Sequence, residues 1–377
     1  MSTCRLEFQS VIVDLNGDHA PFSPVVADFN GDNQSDIAFI VGFYPGHVKV
    51  LFGSSNGTFT PPITIYEGDS YHSLSADDFD NNEYIDLIVF YSFGKTLTML
   101  PGNGDGTFAP PIVLMLNSTI THDSIVIGHF NEDNSLDMAI ADTVTEIFDV
   151  FFGNGNGSFA AETNNSIKIE NSDKLMGVSD FNNDGYSDIV VTNFYPNSVV
   201  IYLGYGNGTF KRQKRMFIGP SFKPQAIVVD DLNGDTRLDI AVSYELANAV
   251  SILFGYGNGT FRIKKNIVTR KKSGNSWLIS LSDLNEDGLL DIILSCSNPY
   301  SIDVLVAHDH ENFEVQEIFS IESDRNTYFN PSVGDFNGDG HQDMVAEGEV
   351  DGTMNIFLNT CNCCVSIPVI TKDGNDH

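Results

Sequence analysis

The stretch DFNGDNQSDIAFIV (residues 28–41) decides the fold of this 377-residue chain, because it recurs. Copies of its acidic head begin at Asp28, Asp78, His129, Asp180, Asp231, Asp283 and Asp335, at steps of 50 to 52 residues. Self-similarity at that period marks a repeat architecture. Between copies lies a second marker, a Gly-rich turn ending in Phe. It reads GSSNGTF (Gly53–Phe59), GNGDGTF (Gly102–Phe108), GNGNGSF (Gly153–Phe159) and GYGNGTF (from Gly204 and from Gly255), then degrades to AHDHENF ending at Phe313. The glycines and Asn-Gly pairs supply the positive φ angles that tight hairpins need. One repeat therefore reads as four strands. In the first unit these are about Pro24–Asp28, Ile37–Val41, Val48–Phe52 and Phe59–Tyr66, with the acidic loop after the first and the Gly turn after the third. The β-branched second-strand cores DIAFIV, DLIVF, DIVVT and DIILS suit strands covered on both faces.

The last unit ends on its third strand, at Met354–Leu358, with no fourth strand after it. The missing strand is at the other terminus. Phe8 of LEFQSVIVDL lies 20 residues before Asp28, and the Gly-turn Phe residues lie 19 to 22 before their next acidic loop. Residues 6–13 thus read as the fourth strand of the seventh unit. An N-terminal strand completing a C-terminal sheet closes a ring and protects sheet edges. The fold class expected is all-β, a seven-bladed β-propeller over residues 1–364, with residues 365–377 as a tail. The closure also suggests a disulfide from Cys4 to Cys361, Cys363 or Cys364, worth about 4–5 kcal/mol at most, against unpaired surface thiols. Cys296, at the end of a second strand, reads as a buried or loop thiol.

Composition narrows the function classes. A net charge of −32 argues against nucleic acid, whose phosphates need clustered Lys and Arg. No run of about 18 apolar residues is present, so no membrane span is expected. The start, MSTCRLEFQS, has no basic-then-apolar leader.

The acids concentrate in the repeated loop. Positions 1, 3, 5 and 9 of the seven copies hold 20 of the 51 Asp and Glu residues. Calcium takes six to eight oxygen ligands from carboxylates, amides and carbonyls. Alternate side chains of a tight loop can converge on one ion, with a backbone carbonyl near position 7 completing the shell. The candidate calcium ligands are Asp28, Asn30, Asp32 and Asp36; Asp78, Asp80, Asn82 and Asp86; Asp180, Asn182, Asp184 and Asp188; Asp231, Asn233, Asp235 and Asp239; Asp283, Asn285, Asp287 and Asp291; and Asp335, Asn337, Asp339 and Asp343. The third loop offers Asn131, Asp133 and Asp137 behind His129, a poor ligand for a hard cation, so six or seven structural Ca2+ sites are expected. The loop opens like an EF-hand but has apolar or small residues such as Phe39 and Ala346 at position 12, where a bidentate Glu belongs. Plain Asp/Asn turns compete with this reading. They leave an Asp at position 9 of all seven copies without a reason.

The D-x-[ND]-x-[DN]-x-x-x-D loop paired with an F-G-x-G-N-G-T-F turn resembles the FG-GAP/VCBS repeat family across essentially the whole chain. The resemblance implies the seven-bladed propeller of integrin α-subunit heads, with calcium in hairpin loops on the lower face. The family also includes seven-bladed fungal lectins. It implies a recognition or adhesion module, extracellular or at the cell surface, binding a glycan or a protein and not acting as an enzyme. The alternative is a polysaccharide lyase or hydrolase on the same scaffold. A monomer with no nucleic-acid partner is expected.

Ligands are expected on the face opposite the loops, where Phe43, Tyr44, Tyr91, Phe93, Phe194, Tyr195, Tyr244 and Tyr300 fall in connections, and Tyr71 and Trp277 in the connections from one unit to the next. Aromatics there can stack on sugars, anchor proteins or merely cover the blade tops. Lys211, Arg212, Lys214, Arg215, Arg262, Lys264, Lys265, Arg270, Lys271 and Lys272 supply 10 of the 19 basic residues, on the outer strands of two neighbouring blades. They can attract an anionic glycan or acidic protein, or simply guard edge strands against aggregation. Gly53-Ser-Ser-Asn-Gly57 matches the hydrolase elbow G-x-S-x-G but sits between two strands, so it is a turn. Sequons at Asn56, Asn156, Asn207 and Asn258 arise from the same turn, leaving Asn117 and Asn164 as freer candidates.

Overall fold

Each second strand of a repeat starts at the ninth loop residue, and Asp36–Val41, Asp188–Asn193 and Asp239–Tyr244 are buried along their whole length. A strand covered on both faces needs a sheet of its own on either side, and the chain provides it by packing blade on blade. A computed structural model of the chain describes residues 5–15, 21–42, 45–68, 71–91, 96–115, 125–142, 146–160, 166–169, 175–193, 197–218, 223–244, 249–263, 267–268, 275–297, 300–308, 311–321, 331–347 and 352–360. These residues form seven antiparallel sheets, and no helix is found among them.

The first blade is Pro21–Ala27, Asp36–Val41, Gly46–Leu51 and Ile63–Gly68; the second is Tyr71–Asp77, Asp86–Tyr91, Thr96–Leu100 and Ile112–Met115. The third is Ile125–Gly128, Asp137–Asp142, Ile147–Phe151 and Ile167–Lys168. In the fourth, Met176–Ser179, Asp188–Asn193 and Ser198–Gly204 are followed by an outer strand in two pieces, Phe210–Arg212 and Met216–Phe217. The fifth repeats this, with Pro224–Asp230, Asp239–Tyr244 and Ala249–Gly255 followed by Phe261–Ile263 and Ile267–Val268. The sixth is Asn275–Ser282, Asp291–Ser297, Tyr300–Ala307 and Phe313–Ile321. In the seventh, Ser332–Gly334, Asp343–Glu347 and Thr353–Asn359 are completed by the N-terminal Phe8–Asp14.

Ring closure follows the sequence reading. Phe8–Asp14 pairs antiparallel with Thr353–Asn359, from Phe8 opposite Asn359 to Asp14 opposite Thr353. The amide of Thr360 donates to the Glu7 carbonyl, continuing the ladder by one step. Seven apolar clusters fill the seven blade junctions. The cluster of Ile37, Phe39, Val345 and Ile356 joins blade seven to blade one, with Val11 and Val13 of the N-terminal strand packed against it.

Local boundaries differ from the sequence reading where backbone donors are missing or diverted. Phe59 makes only a lone bridge to Gly53, and the outer strand proper begins at Ile63, past Pro61 and Pro62. Proline has no N–H for the ladder. Asp28 falls outside the first strand because its carboxylate collects loop amides. Deleting residues 1–14 should leave Thr353–Asn359 an open edge and uncover the last junction. The account expects the melting temperature to fall by about 10 °C or more, or the variant to aggregate. An unchanged melting curve would contradict the closure.

Candidate functional site

The acidic loop folds around the carboxylate at its first position. In the first copy the amides of Asn30, Gly31, Asp32 and Asn33 all donate to Asp28. The sixth loop residue lies in the left-handed region in every copy, including the third, which has His129 at its first position: Asn33, Glu83, Asn134, Gly185, Thr236, Gly288 and Gly340 have φ between 60° and 90°. Glu83 and the β-branched Thr236 are strained there. Positions 1, 3 and 5 are drawn together. The Asn30 amide group donates to Asp32 at 3.2 Å, and the same bond links Asn131 to Asp133, Asn182 to Asp184, Asn285 to Asp287 and Asn337 to Asp339.

Position 9 has a structural duty that the sequence reading did not assign. Asp36, Asp86, Asp137, Asp188, Asp239, Asp291 and Asp343 are all fully buried. One oxygen of Asp36 accepts the Phe29 amide at 3.0 Å and the other accepts the Gly53 amide at 2.8 Å. The same pair of bonds recurs in every blade, down to Phe336 and Asn359 on Asp343 at 2.8 and 2.7 Å. One carboxylate thus ties the start of the loop to the end of the third strand. This explains the Asp at position 9 of all seven copies without any ion. Its remaining lone pairs stay available to one.

Burial pushes the carboxyls of Asp188, Asp239 and Asp291 up to about 7, and those of Asp36, Asp86 and Asp343 up to about 6. The backbone donors pull each one down, and neighbouring loop carboxylates raise it further. The second loop gathers its acids most tightly, with ligand atoms of Asp78, Asp80 and Asp86 all within 4.8 Å of one another. Oδ1 of Asp80 is buried without a hydrogen-bond partner, and burial beside Asp78 raises its pKa. An orphaned carboxylate oxygen in an all-oxygen donor set fits a hard cation.

The third loop is built differently. His129 offers no carboxylate for the loop amides; its Nδ1 instead lies 2.9 Å from the Ser135 carbonyl, at position 7. Asn131, Asp133 and Asp137 keep their places around it.

Neighbouring blades meet through the two repeat markers. The second loop residue is a buried Phe or Leu in all seven copies, and it packs on the Gly-turn Phe of the next blade. Phe29 meets Phe108 at 6.2 Å, Phe130 meets Phe210 at 5.7 Å, Phe181 meets Phe261 at 5.5 Å, and Phe336 meets Phe59 at 5.8 Å. Leu284 shares its cluster with Phe8, which takes the Gly-turn Phe position of the seventh blade. Beside these rings the turn amides of Gly106, Gly208 and Gly259 donate to the carbonyls of Phe29, Phe130 and Phe181. The acidic loop and the Gly turn are therefore two sides of one interface. A Phe or Leu seven residues before each buried Asp was visible in the sequence and could have revealed it.

Other expectations resolve unevenly. Tyr244 is no loop aromatic: it is fully buried, and its hydroxyl meets the Ile218 carbonyl and Ser251. It ends the strand Asp239–Tyr244, at the place Val41 holds in the first blade, and the ring finds apolar cover. Cys296 is buried, as read. The side chains of Asn56, Asn156, Asn207 and Asn258 accept from the Thr or Ser two residues on, the Asx geometry of a turn. Phe43, Tyr44, Phe93, Phe194, Tyr195, Asn117, Asn164, Lys264, Lys265, Arg270, Lys271, Lys272, Cys4, Cys361, Cys363, Cys364 and the 365–377 tail lie outside the described residues. Tyr71, Tyr91, Trp277 and Tyr300 are not in connections either: their backbones belong to the strands Tyr71–Asp77, Asp86–Tyr91, Asn275–Ser282 and Tyr300–Ala307.

Comparison with known proteins agrees with this geometry. A model of the FG-GAP-like repeat matches residues 28–89, 180–242, 231–294 and 283–346. The chain belongs to the FG-GAP-like repeat family. It is similar to the T-cell immunomodulatory protein of Rattus norvegicus, 25% identical over 178 residues, which is 45% of this chain and 28% of that protein. Among solved structures it resembles an Agrocybe aegerita lectin described for recognition of non-reducing terminal N-acetylglucosamine, with a TM-score of 0.58, 19% identity and 80% of both chains covered. A virginiamycin B lyase of Staphylococcus aureus shares the fold at a TM-score of 0.56 and 11% identity, covering 93% of this chain and 99% of that one. At these identities the two structures speak for the propeller alone.

Two outcomes follow from the loop geometry. Asp239→Asn replaces one acceptor oxygen with a donor facing a backbone amide, and should cost about 2–4 kcal/mol in urea unfolding. A loss under half a kilocalorie would contradict the buried tie. In chelator, the folded state binds protons at the raised carboxyls more tightly than the unfolded chain does. That contribution is fully present below about pH 4 and is lost as pH rises through about 7. Melting of the chelated protein should therefore rise as pH is lowered from about 8 to about 6.

Proposed function

We propose that this chain is an extracellular recognition propeller whose acidic loops hold calcium as a structural ion, and which binds a glycan or a protein rather than catalysing a reaction. The observation that carries the metal reading is the unpartnered, buried oxygen of Asp80 among the convergent oxygens of Asp78, Asp80 and Asp86. Positions 1, 3, 5 and 9 of the first, second, fourth, fifth, sixth and seventh loops would hold the ion. The charge supplied by calcium would offset carboxylates that the fold has already crowded and partly buried. In the third loop the His129 ring stands against the position-7 carbonyl, so that loop is proposed to work without metal.

The recognition reading is supported by membership of a repeat family resembling integrin heads and lectins, and by a fold shared with a sugar-binding lectin. Binding is favoured over catalysis by the use of the buried loop carboxylates. In each loop both oxygens of the ninth residue are engaged by backbone amides, which suits scaffolding rather than proton transfer. The test is a glycan array in millimolar calcium with a matched chelator arm. Calcium-dependent binding to defined sugars is the expected result. A blank array from protein whose melting temperature still falls on chelation would overturn the glycan ligand and leave the metal reading standing.

A further inference from the structure

The outer strands of blades four and five differ from the rest in chemistry. From Phe210 to Lys223 and from Phe261 to Gly274 the sequence contains no acidic residue, in a chain of net charge −32. The corresponding strand of blade six carries Glu314 and Glu317, and that of blade seven ends in Asp14. In both blades this strand carries a one-residue bulge, as the outer strands of blades one and six also do. Tyr202 pairs with Arg212 and Val199 with Met216, so three outer residues oppose two inner ones. Leu253 with Ile263 and Val250 with Ile267 repeat that bulge one blade on. Lys211, Arg212 and Lys214 stand exposed around the first bulge, and Arg262 and Ile263 lead into the second.

We propose that this two-blade rim is a binding site for a flexible anionic polysaccharide, one bearing sulfate or carboxylate groups along its length. The site is separate from the acidic loops. Three observations favour that occupant. The bulge interrupts the outer edge, since regular pairing ends at Arg212 and resumes at Met216. An added peptide strand needs a continuous edge, so what the rim offers is side-chain charge. Next, Arg262 already demonstrates the chemistry within the chain: it lies 4.7 Å over the Phe254 ring and pairs with the carboxylate of Glu311 from blade six. Finally, apolar surfaces accompany the cations, with Phe217 exposed at 62% and Tyr256 at 50%, and ring faces suit the C–H faces of sugars. A stiff duplex would run off the patch onto an acidic body, whereas a flexible chain can follow the rim from one blade to the next.

The test uses the full calcium-loaded chain and a heparin oligosaccharide of defined length, titrated calorimetrically over a salt series. Binding should weaken linearly in log–log form as salt rises, the signature of released counterions. The double variant Lys211→Glu/Lys214→Glu should bind about tenfold or more weakly at low salt, with an unchanged melting temperature because both side chains are exposed. Lys168→Glu, on the outer strand of blade three, should bind like the parent. If the reversed variant does not melt like the parent, Lys211→Gln/Lys214→Gln replaces it, with a weakening of about threefold. No binding by the parent, or equal binding by the double variant, would overturn the proposal. Tighter binding of polyglutamate or of a single-stranded oligonucleotide than of the oligosaccharide would also overturn it, assigning the rim to that partner.

Discussion

Everything on the loop face depends on a buried carboxylate held between two backbone amides. In each blade the ninth loop residue is removed from water, and it accepts one N–H from the loop and one from the end of the third strand. A buried charge survives only when hydrogen-bonded, and a bonded buried charge fixes whatever bonds it. Here it fixes the turn of the loop, which sets the second loop residue into the blade junction and brings the acidic side chains into one small volume. The geometry that orders the hairpin is therefore the geometry that crowds negative charge. Calcium, in the proposed function, resolves that crowding without being the origin of the loop's shape.

This ordering explains what was legible in the sequence and what was not. The seven units, the four strands in each and the N-terminal strand that completes the last blade could be read directly, because each blade carries a dense marker with fixed spacing. Phe8 announced its place by its distance from Asp28 alone. The duty of position 9 was hidden because a metal ligand and a backbone tie both call for Asp. Tyr244 is the last residue of a strand equal in length to Asp36–Val41, and the Ile218 carbonyl that receives its hydroxyl lies 26 residues away. The outer-strand bulges between Gln213 and Met216 and at Ile65 likewise answer to register with a neighbouring strand.

The third loop separates the two duties. It keeps the buried tie through Asp137, which accepts the Phe130 and Gly153 amides at 2.7 and 2.9 Å. It keeps the junction packing through Phe130 and Phe210. Only the first-position carboxylate is gone, and an imidazole stands in its place. A blade can thus hold its architecture without a first-position carboxylate, as expected if the tie is the scaffold and the proposed ion an addition to it.

The most direct measurement is the number of calcium ions bound per chain, by equilibrium dialysis and elemental analysis, for the parent and for His129→Asp. The account predicts six for the parent and seven for the variant, with melting temperatures that fall when the ions are chelated. A parent that binds none, or a variant whose count does not rise, would contradict it.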